Sequence, residues 1–462
     1  MLREEFKRRF EDRRVTVIGI GVSNRPLIEM LVAAGARVTA CDKKTPEALG
    51  EAYRELTALG VTLSLGEGYL DALDADIIFR TPGMRYDHPA LKAATAAGAI
   101  LTSEMQVFFE LCPAKIIGIT GSDGKTTTTT LIAKLLEASG KTVYLGGNIG
   151  APLLPRLFGM TRDDFCVVEL SSFQLHTMTV SPDIAVITNL SPNHLDYHVD
   201  GAEYADAKFN IFLHQKKGGI LVTNGARRSE LDEYAYERVR AHLSQGTSEH
   251  RAFNGGAVYE DGGVIYCAGR EVMRVSDIRI PGRHNVENYM AAIAATYGIV
   301  SFDTVKELAQ SFGGVEHRIE FVRAVKGVSY YNSSIDSSPS RTLAALGAFG
   351  DKKLTVLCGG YDKNLDYTPL ADGLLRHAKR VILCGPTAEK IRAALLASPD
   401  YSEDRLPIVM SENYGQSVAI AYETAVAGDI VLLSPASASF DAFRNFEERG
   451  RYFKALVAGL PE

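Results

Sequence analysis

A glycine-bounded loop between an apolar run and a helical run is the feature that most constrains how this chain can fold. The apolar run 116–119 predicts a buried strand, and the run 126–139 predicts a helix that ends before a glycine. The loop between them is Thr-Gly-Ser-Asp-Gly-Lys-Thr, in which backbone N–H groups and the helix N-terminus can hold a phosphate. Lys125 adds a full positive charge, and the Thr126 hydroxyl can bind Mg²⁺. The sequence therefore predicts a site for a nucleoside triphosphate.

This loop departs from the general P-loop pattern at one position, because Ile119 stands where that pattern has its first glycine. A glycine-rich turn that carries a surface lysine is the alternative interpretation. The flanking strand and helix favour the phosphate site, since they are the context that the motif requires.

Length and composition limit the class of protein. A chain of 462 residues is too long for one ordinary core, so several domains are expected. A net charge of -6 and a pI of about 6.0 show no basic bias, which argues against nucleic acid as a partner. The six cysteines are scattered, with no Cys-x-x-Cys pair and no Cys/His cluster. They are predicted to be small buried residues in a reducing compartment.

The amino-terminal residues and the hydropathy of the chain indicate a cytoplasmic protein. Charges of both signs crowd the first turns, which is typical of neither a signal peptide nor a transit peptide. Leu2, Phe6 and Phe10 recur at helical spacing and predict a short amphipathic helix. No uncharged apolar stretch is long enough to span a membrane, so no membrane association is expected. The expected oligomeric state is a monomer.

Three successive segments alternate strands with helices, which predicts α/β domains with mostly parallel sheets. The first segment, 1–103, is expected to form a Rossmann-like domain. The second, 104–314, holds the phosphate loop and ends in short Gly-rich runs that predict a small antiparallel appendage. The third, 315–462, is expected to form another Rossmann-like domain.

Polar side chains follow the predicted strands of the second segment. Because these strands end in polar loops at one edge of a parallel sheet, that edge is expected to gather Asn148, Glu169 and His194. Glu169 ends an apolar strand next to the phosphate loop, and Mg²⁺ prefers carboxylate oxygen, so it is a candidate metal ligand. A solvated acid at a strand end is the alternative interpretation.

A turn-rich loop after the next strand contains two histidines and Asp196. Histidine is an unusual ligand for a hard cation, so a zinc site or a structural role for His194 stays open. Lys208 follows on a predicted helix and shares a face with Tyr204 and Phe212. A partly buried lysine can lose its proton and become a nucleophile, whereas a surface lysine with a buried stem is the alternative.

Further candidate sites lie near both ends of the chain. The run Gly-Ile-Gly-Val-Ser-Asn is similar to a dinucleotide fingerprint, with Asp42 after the second strand, but Asn24 replaces its third glycine. This pattern predicts a tight turn suited to a diphosphate. In the tail, small hydroxyl residues before an aromatic-rich helix can bind a carboxylate. Helix capping by Ser437 or Ser439 is the alternative interpretation.

Taken in order, these motifs resemble the Mur ligases of peptidoglycan synthesis along the whole chain. The motifs that carry the resemblance are Thr-Gly-Ser-Asp-Gly-Lys-Thr, Gly147-Asn-Ile-Gly, Glu169-Leu-Ser-Ser-Phe-Gln, Asn193-His-Leu-Asp, Tyr204-x-x-x-Lys208, Pro281-Gly-x-His-Asn-x-x-Asn288 and His317-Arg318. The tail, Ser434-Pro-Ala-x-Ala-Ser-x-Asp-x-Phe-x-x-Phe-Glu-x-Arg-Gly, is similar to the signature of the branch that adds D-glutamate.

The resemblance implies an ATP site with two Mg²⁺ ions, for which Mn²⁺ is a possible substitute. The implied catalytic residues are Lys125, Lys208, His194 and Arg318. ATP would be bound by Gly121, Ser122, Asp123, Gly124, Lys125, Thr126, Thr127, Asn285, Asn288 and Arg318. The metal ligands would be Thr126, Glu169, His194 and Lys208, with Lys208 carbamylated by CO₂. A carbamate turns a cation into an anionic oxygen ligand, which suits Mg²⁺.

The resemblance also implies two substrates, UDP-N-acetylmuramoyl-L-alanine and D-glutamate. The first domain would bind the UDP group. Contacts to the UDP-sugar substrate would come from Ser23, Asp42, Thr81, Pro82, Gly83, Asn148, Ser172 and Gln174. Contacts to D-glutamate would come from Ser337, Lys363, Ser439, Phe440 and Phe446. The implied reaction passes through an acyl phosphate, so we expect the third domain to close over the second and exclude water.

Two departures from the family pattern affect the expected nucleotide site. Ser333 stands where an aspartate is usual, within Asn-Ser-Ser-Ile-Asp-Ser-Ser-Pro, and Asp123 stands where an asparagine is usual. Altered nucleotide affinity is therefore expected. The alternatives are another Mur ligase or a folylpolyglutamate synthase, a catalytically silent nucleotide-binding regulator, and an NAD-dependent oxidoreductase suggested by the glycines of the first segment.

Overall fold

The computed structural model describes residues 1–71, 73–191, 194, 197–227, 229–350 and 354–462. This part of the chain divides into two compact units, Met1–Arg274 with Glu287–Lys306 and Val275–Val286 with Glu307–Glu462. Among the described residues, no helix is both long and apolar enough to cross a lipid bilayer. Asn193 and Asp196 of the predicted histidine loop lie outside the described residues.

The first unit begins with a parallel α/β layer. Its strands are β1 (Arg14–Ile18), β2 (Arg37–Asp42), β3 (Thr62–Leu65), β4 (Ile77–Phe79) and β5 (Ile100–Thr102), and its helices are α1 (Leu2–Phe10), α2 (Asn24–Ala33), α3 (Pro46–Leu49), α4 (Glu51–Ala58) and α5 (Pro89–Ala96). The strand order is β3-β2-β1-β4-β5. The order reverses between β1 and β4, and the crevice beyond the carboxyl ends of strands at such a point is where open α/β sheets bind ligands.

A larger sheet follows in the same unit. Its strands are β6 (Lys115–Thr120), β7 (Val143–Gly147), β8 (Phe165–Glu169), β9 (Ile184–Ile187), β10 (Gly219–Asn224), β11 (Ser248–Phe253), β12 (Val258–Asp261), β13 (Val264–Cys267) and β14 (Arg270–Arg274), in the order β14-β13-β12-β11-β10-β9-β6-β8-β7. Apart from the exposed Lys115, the residues of β6, β8 and β9 are buried and mostly apolar, as expected for a parallel sheet between helices. The phosphate loop leaves the sheet at the carboxyl end of β6.

Further helices and 3₁₀ turns follow α5 along the chain. The helices that follow α5 are α6 (Glu104–Leu111), α7 (Lys125–Ala138), α8 (Ser172–Leu175), α9 (Gly201–Leu213), α10 (Glu230–Leu243), α11 (Arg283–Thr296) and α12 (Phe302–Ser311), with 3₁₀ turns at Leu154–Gly159 and Val275–Asp277. Phe6, Phe10 and Phe79 of the first layer share one apolar core with the second sheet. The two layers are therefore packed as one body.

The second unit contains a mixed sheet. Its strands are β15 (Glu320–Val325), β16 (Val328–Asn332), β17 (Leu354–Cys358), β18 (Ala378–Leu383), β19 (Ile408–Met410) and β20 (Ile430–Leu433), in the order β15-β16-β20-β17-β18-β19. Its helices are α13 (Pro339–Gly347), α14 (Thr368–His377), α15 (Ala388–Ala397), α16 (Tyr414–Thr424) and α17 (Phe446–Ala458). The pairing of β15 with β16 is antiparallel, and the other pairings are parallel.

The predicted α/β architecture with mostly parallel sheets is confirmed, as is the amphipathic helix α1, which buries Phe6 and Phe10. The antiparallel appendage is present as β12–β14, but it continues the second sheet through β11. The β15–β16 hairpin was not predicted. Its turn residues, Lys326 and Gly327, both have positive φ, yet lysine is not a usual residue for such a turn. The predicted domain boundaries at 103 and 314 stay predictions.

Candidate active site

The phosphate loop is rigidly held at the end of β6, and its two glycines cannot be replaced without a clash. Gly121 and Gly124 have φ values of +149° and +76°. A Cβ atom on Gly121 would lie 1.9 Å from Thr188 Oγ1, and one on Gly124 would lie 2.3 Å from Asn288 Oδ1. The backbone of the loop can therefore approach a phosphate closely, because no side chain stands between them.

Hydrogen bonds fix the rest of this loop. Ser122 Oγ donates to the carbonyl of Ser191 (2.9 Å), and the Asp123 N–H donates to Asn189 Oδ1 (2.9 Å). The side chain of Asp123 is exposed to solvent. Thr126 and Thr127 lie in the first turn of α7, where backbone N–H groups lack helical partners. The predicted strand, loop and helix are confirmed, and the N–H groups of the loop are suited to bind an anion.

Two lysines converge on one carbonyl oxygen of this loop. Lys125 Nζ donates to the carbonyl of Gly121 at 2.9 Å, and Lys208 Nζ, from α9, donates to the same oxygen at 2.9 Å. Lys208 Nζ also donates to Thr120 Oγ1 (3.2 Å) and lies 4.7 Å from the centre of the Tyr204 ring. The sequence placed Lys208 on the face of Tyr204, and this contact confirms that placement.

The Lys208 side chain is almost completely inaccessible to solvent, with 2% exposure. Burial lowers the pKa of its ammonium group well below the ordinary value, and the positive charge of Lys125 lowers that pKa further. Glu169 and Asp123 act in the opposite direction and do not outweigh these two effects. The amine is therefore biased toward the neutral, nucleophilic form.

Glu169 ends β8 beside the phosphate loop, since it pairs in register with Ile119 of β6. Its Oε1 accepts a hydrogen bond from Asn148 Nδ2 at 2.9 Å. Its Oε2 is buried and has no hydrogen-bond partner among the described residues. A buried carboxylate oxygen without a partner costs free energy unless a cation or a hydrogen-bond donor binds it. Glu169 is therefore suited to be a Mg²⁺ ligand. The predicted meeting of Asn148 with Glu169 is confirmed.

His194 lies in a different setting from Glu169 and Lys208. It is exposed, has a positive φ of 53°, and its ring centre lies 4.9 Å from that of Phe173. Among the described residues, no three His, Cys, Asp or Glu side chains form a preformed metal cluster. The assignment of His194 as a metal ligand therefore stays a prediction.

The short helix α8 positions two of the predicted substrate contacts. Ser172 is buried and its Oγ lies 3.0 Å from Nε2 of His198. Burial lowers the pKa of the His198 imidazole to about 4, so this ring is neutral at physiological pH. Gln174 forms a capping box with Ser171, which uses its side-chain oxygen. Gln174 is thus committed to helix capping, and its amide nitrogen is the group left for a ligand.

The loops of the first sheet gather at the carboxyl ends of β1, β2 and β4. Asp42 Oδ2 accepts a hydrogen bond from the Ile20 N–H (2.7 Å), which ties the first glycine turn to β2. A Cβ atom on Gly19 would lie 3.1 Å from Thr81 Cβ, so the glycine turn lies directly against the Thr-Pro-Gly turn. The predicted UDP contacts that surround this point are Ser23, Asp42, Thr81, Pro82 and Gly83.

Arg80 joins these first-sheet loops to the second sheet and was not predicted as a site residue. Its guanidinium is 2% exposed and donates to the Pro82 carbonyl (3.1 Å), the Phe173 carbonyl (3.1 Å) and Thr177 Oγ1 (3.0 Å). Burial lowers the pKa of this arginine. Its position directly after an apolar strand was the sequence signal that could have identified Arg80 as part of the site.

The second unit gathers most of the residues predicted to contact the amino acid. Lys363 and Phe440 are exposed, and Lys363 Nζ lies 5.9 Å from the centre of the Phe440 ring. Ser439 precedes Phe440 and is buried. Phe446 begins α17, and its ring centre lies 6.1 Å from that of His317. Ser337 lies in the turn before α13, where its N–H donates to the Ile335 carbonyl.

The serine-rich tail is held by a buried arginine and does not cap a helix. Arg449 is inaccessible to solvent and donates to the carbonyls of Ser334, Ser437 and Ala438. Helix α17 is capped by Asn445, whose Oδ1 accepts from the Glu448 N–H at 2.8 Å. Capping by Ser437 or Ser439 is therefore wrong, because the helix begins several residues later.

Asp336 supplies a carboxylate next to the position where the family aspartate is replaced by Ser333. Its N–H donates to the Ser333 carbonyl at 3.0 Å, and its Oδ2 accepts from Ser434 Oγ at 2.7 Å. Burial raises the pKa of Asp336 to about 6, and the charge of Arg318 acts in the opposite direction. Arg318 is itself exposed. The position of Asp336 close to Ser333 in the sequence was the signal that could have identified it as a site residue.

Both predicted asparagines lie on α11, but their partners differ. Asn288 Oδ1 accepts from Thr128 Oγ1 (3.2 Å) and lies against Gly124, so it contacts the phosphate loop. Asn285 is buried in the second unit, and its Nδ2 donates to the Pro281 carbonyl at 2.6 Å. The nucleotide contact assigned to Asn285 stays a prediction.

Two known domain families match this chain. The chain matches the Mur ligase middle domain over residues 119–296 and the Mur ligase glutamate ligase domain over residues 317–437. A UDP-N-acetylmuramoylalanine–D-glutamate ligase of Clostridium perfringens (strain 13 / Type A) is 47% identical over 459 residues, which is 99% of each chain. The enzyme of the same name from Clostridium botulinum (strain Alaska E43 / Type E3) is 48% identical over 463 residues, 99% of this chain and all of its own.

Solved structures share the fold at low sequence identity. A UDP-N-acetylmuramoyl-L-alanyl-D-glutamate–2,6-diaminopimelate ligase has a TM-score of 0.56 at 18% identity, covering 98% of this chain and 94% of its own. The UDP-N-acetylmuramate–alanine ligase MurC of Thermotoga maritima has a TM-score of 0.55 at 17% identity, covering 96% and 99%. The FolC protein of E. coli, in complex with ADP, has a TM-score of 0.53 at 15% identity, covering 77% and 92%.

The glycine clash predicts the effect of a small substitution in the loop. Gly121→Ala is expected to weaken ATP binding by at least about tenfold, because the new Cβ atom would meet Thr188 and force the loop off the phosphate. Isothermal titration with a non-hydrolysable ATP analogue measures this loss. Gly159→Ala, which meets no atom within 4 Å, is the matched control and keeps the wild-type affinity. Equal affinity of both variants would contradict the close approach of phosphate to Gly121.

Proposed function

The chain belongs to the Mur ligase family, and we propose that it joins D-glutamate to UDP-N-acetylmuramoyl-L-alanine with consumption of ATP. The observation that carries this proposal is the 47% identity to a D-glutamate ligase over 99% of the chain. The matched region spans the phosphate loop, α9 and the serine-rich tail, because it covers 99% of the chain. The reaction would serve the synthesis of a peptidoglycan precursor.

ATP would lie with its phosphates in the glycine loop. The N–H groups at the start of α7 and the Lys125 ammonium supply positive charge to the phosphate oxygens. Lys125 donates to two loop carbonyls, Gly121 and Ser122, and these bonds hold its ammonium at the loop. Asn288 packs against Gly124 and supports the same loop. Arg318 and Asn285 are proposed as further nucleotide contacts from the second unit.

Thr126, Glu169, His194 and a carbamate on Lys208 would hold two Mg²⁺ ions, which neutralise phosphate charge when bound. The unpartnered buried oxygen of Glu169 supports this assignment. The lowered pKa of Lys208 supports the carbamate, because only a neutral amine can attack CO₂. Carbamylation would also remove the repulsion between Lys208 and Lys125. Mn²⁺ would satisfy the same oxygen ligands.

The proposed reaction has two steps. The carboxylate of the terminal alanine attacks the γ-phosphorus of ATP, the bond to the bridging oxygen of ADP breaks, and an acyl phosphate forms. The amine of D-glutamate then attacks the acyl carbon, phosphate leaves, and the amine loses a proton. Lys125 and Arg318 would stabilise the negative charge that develops on the transferred phosphoryl group. Exclusion of water would protect the acyl phosphate from hydrolysis.

D-Glutamate would bind at the tail of the second unit. The substrate has two carboxylates, and the exposed ammonium of Lys363 can pair with one of them. The buried Ser439, the neighbouring Phe440, Phe446 and Ser337 are the other proposed contacts. Arg449 contributes indirectly, since its buried guanidinium fixes the carbonyls of the serine-rich tail.

The UDP-sugar would extend from the loops of the first sheet to α8. Ser23, Asp42 and the Thr81-Pro-Gly turn surround the point where the strand order reverses, which is suited to the diphosphate. Asn148, Ser172 and Gln174 would contact the sugar or its alanine. Arg80 fixes the Thr-Pro-Gly turn against α8, so both halves of this proposed site are held in one unit.

A catalytically silent regulator is a weaker proposal. It was suggested by Ser333, but the buried Asp336, whose N–H donates to the carbonyl of that serine, supplies a carboxylate close by in the chain. An NAD-dependent oxidoreductase is weaker too, because Asn24 uses its amide to bind the carbonyls of Ile18 and Gly19 within the glycine turn. We also propose a cytoplasmic monomer with domains 1–103, 104–314 and 315–462.

The proposed activity is tested by phosphate release from ATP and Mg²⁺ in the presence of UDP-N-acetylmuramoyl-L-alanine. Release is expected only when D-glutamate is also present, because the acyl phosphate needs an amine acceptor. L-Glutamate and L-lysine are the controls for the amino acid. Turnover with another amino acid in place of D-glutamate would correct the substrate, and ATP binding without any turnover would favour a silent regulator.

Lys208→Ala is expected to lower kcat by more than about 100-fold, since it removes a proposed ligand of the metal at the γ-phosphate. Removal of CO₂ and bicarbonate is expected to lower the activity of the wild type, with recovery when bicarbonate is restored. Lys134→Ala, at an exposed position on α7, is the control and keeps full activity. Full wild-type activity in CO₂-free buffer would rule out the carbamate.

Lys363→Ala is expected to raise the KM for D-glutamate by about tenfold or more, because it removes one charge-assisted contact to a carboxylate. The KM for ATP is expected to stay unchanged. Lys306→Ala, an exposed lysine on α12, serves as the control for loss of a surface charge. An unchanged KM for D-glutamate in Lys363→Ala would remove this lysine from the amino-acid site.

A further inference from the structure

Three sulfur atoms meet at the amino end of the second sheet, away from the phosphate loop. Cys112 follows α6 at its carboxyl end, Met160 follows the 3₁₀ turn Leu154–Gly159, and Cys166 is the second residue of β8. Cys166 pairs in register with Ile116, at the start of β6, whereas the phosphate loop leaves the other end of that strand. The sulfur cluster is therefore separate from the proposed ligase site.

The three sulfurs form a nearly equilateral triangle. The Cys112 and Cys166 Sγ atoms are 3.6 Å apart, Cys166 Sγ is 3.6 Å from Met160 Sδ, and Cys112 Sγ is 3.9 Å from Met160 Sδ. A point equidistant from all three lies about 2.1 Å from each, close to the roughly 2.3 Å of a metal–thiolate bond. An ion slightly out of the plane of the triangle would therefore reach all three sulfurs without rearrangement of the chain.

We propose that Cys112, Met160 and Cys166 bind one monovalent copper ion, Cu(I), in a trigonal site. Two thiolates and one thioether are soft ligands that select Cu(I) over hard cations. Zinc is less well suited, because it takes four ligands and no third His, Cys, Asp or Glu joins the pair among the described residues. Binding forms two copper–thiolate bonds and one copper–thioether bond, releases the two thiol protons, and changes no oxidation state.

A cavity leads to the three sulfur atoms, and charged side chains line it. Cys112 is half-buried and lines a cavity of about 370 Å³, whereas Met160 and Cys166 are buried behind it. Cu(I) with two thiolates carries a net negative charge. The cavity is also lined by Lys115, Arg162, Lys216 and Lys217, together with one acid, Asp183. The carboxylates of Asp183 and Asp164 act electrostatically on the Cys112 thiol, and the four lining cations outnumber these two acids.

Competition with a chromogenic Cu(I) chelator tests the proposal on the full, reduced protein under anaerobic conditions. The wild type is expected to withhold one equivalent of Cu(I), and X-ray absorption of the complex is expected to show three sulfur neighbours at about 2.3 Å. Cys112→Ala and Cys166→Ala are each expected to lose the bound equivalent. Cys267→Ala, which replaces another buried free cysteine in the same unit, is the control and keeps it.

Met160→Leu keeps the test decisive if a cysteine variant fails to fold, because the substitution conserves side-chain volume. It is expected to bind Cu(I) at least about tenfold more weakly and to show two sulfur neighbours. Thermal unfolding of each apo variant confirms that it is folded. No copper withheld by the wild type, unchanged binding in folded Cys112→Ala, or an unchanged sulfur count in Met160→Leu would each overturn the proposal.

Discussion

Two lysine side chains donate to the same carbonyl oxygen, that of Gly121, and this contact is the constraint on which the rest of the first unit depends. Two ammonium groups cannot share one buried acceptor at low energetic cost, because like charges repel and water is excluded. Lys208 is the more deeply buried of the two, so it is the one that favours the neutral form. A buried amine with a lowered pKa next to a phosphate loop is chemically unusual and is available for modification.

The surrounding structure serves to hold this contact in place. Glycine at positions 121 and 124 lets Thr188 and Asn288 pack directly against the loop, so the Gly121 carbonyl has a fixed direction. Strands β6 and β8 are neighbours, and their register brings Glu169 level with the start of the loop. Helix α9 then places Lys208 over the same point. The loop, the acid and the amine thus come from three elements whose positions the parallel sheet determines.

Local chemistry in the sequence was sufficient to predict the loop, the acid and the buried lysine. A glycine-rich loop between a strand and a helix is typical of a phosphate site. The apolar neighbours of Lys208 on its predicted helix indicated that this lysine is buried. Contacts between distant segments were not predictable. Arg80 reaches α8, Asp336 joins Ser434, and Cys112 meets Cys166, because these partners depend on strand order and packing. The β15–β16 hairpin was missed since its turn lacks the usual residues.

The proposed carbamate on Lys208 can be measured directly. The protein is equilibrated with ¹³C-bicarbonate and examined by ¹³C nuclear magnetic resonance, with Lys208→Ala as the reference. A protein-bound carbamate resonance that appears in the wild type and is absent from the variant is the predicted result. A wild type without this resonance, or a resonance that persists in Lys208→Ala, would contradict the claim.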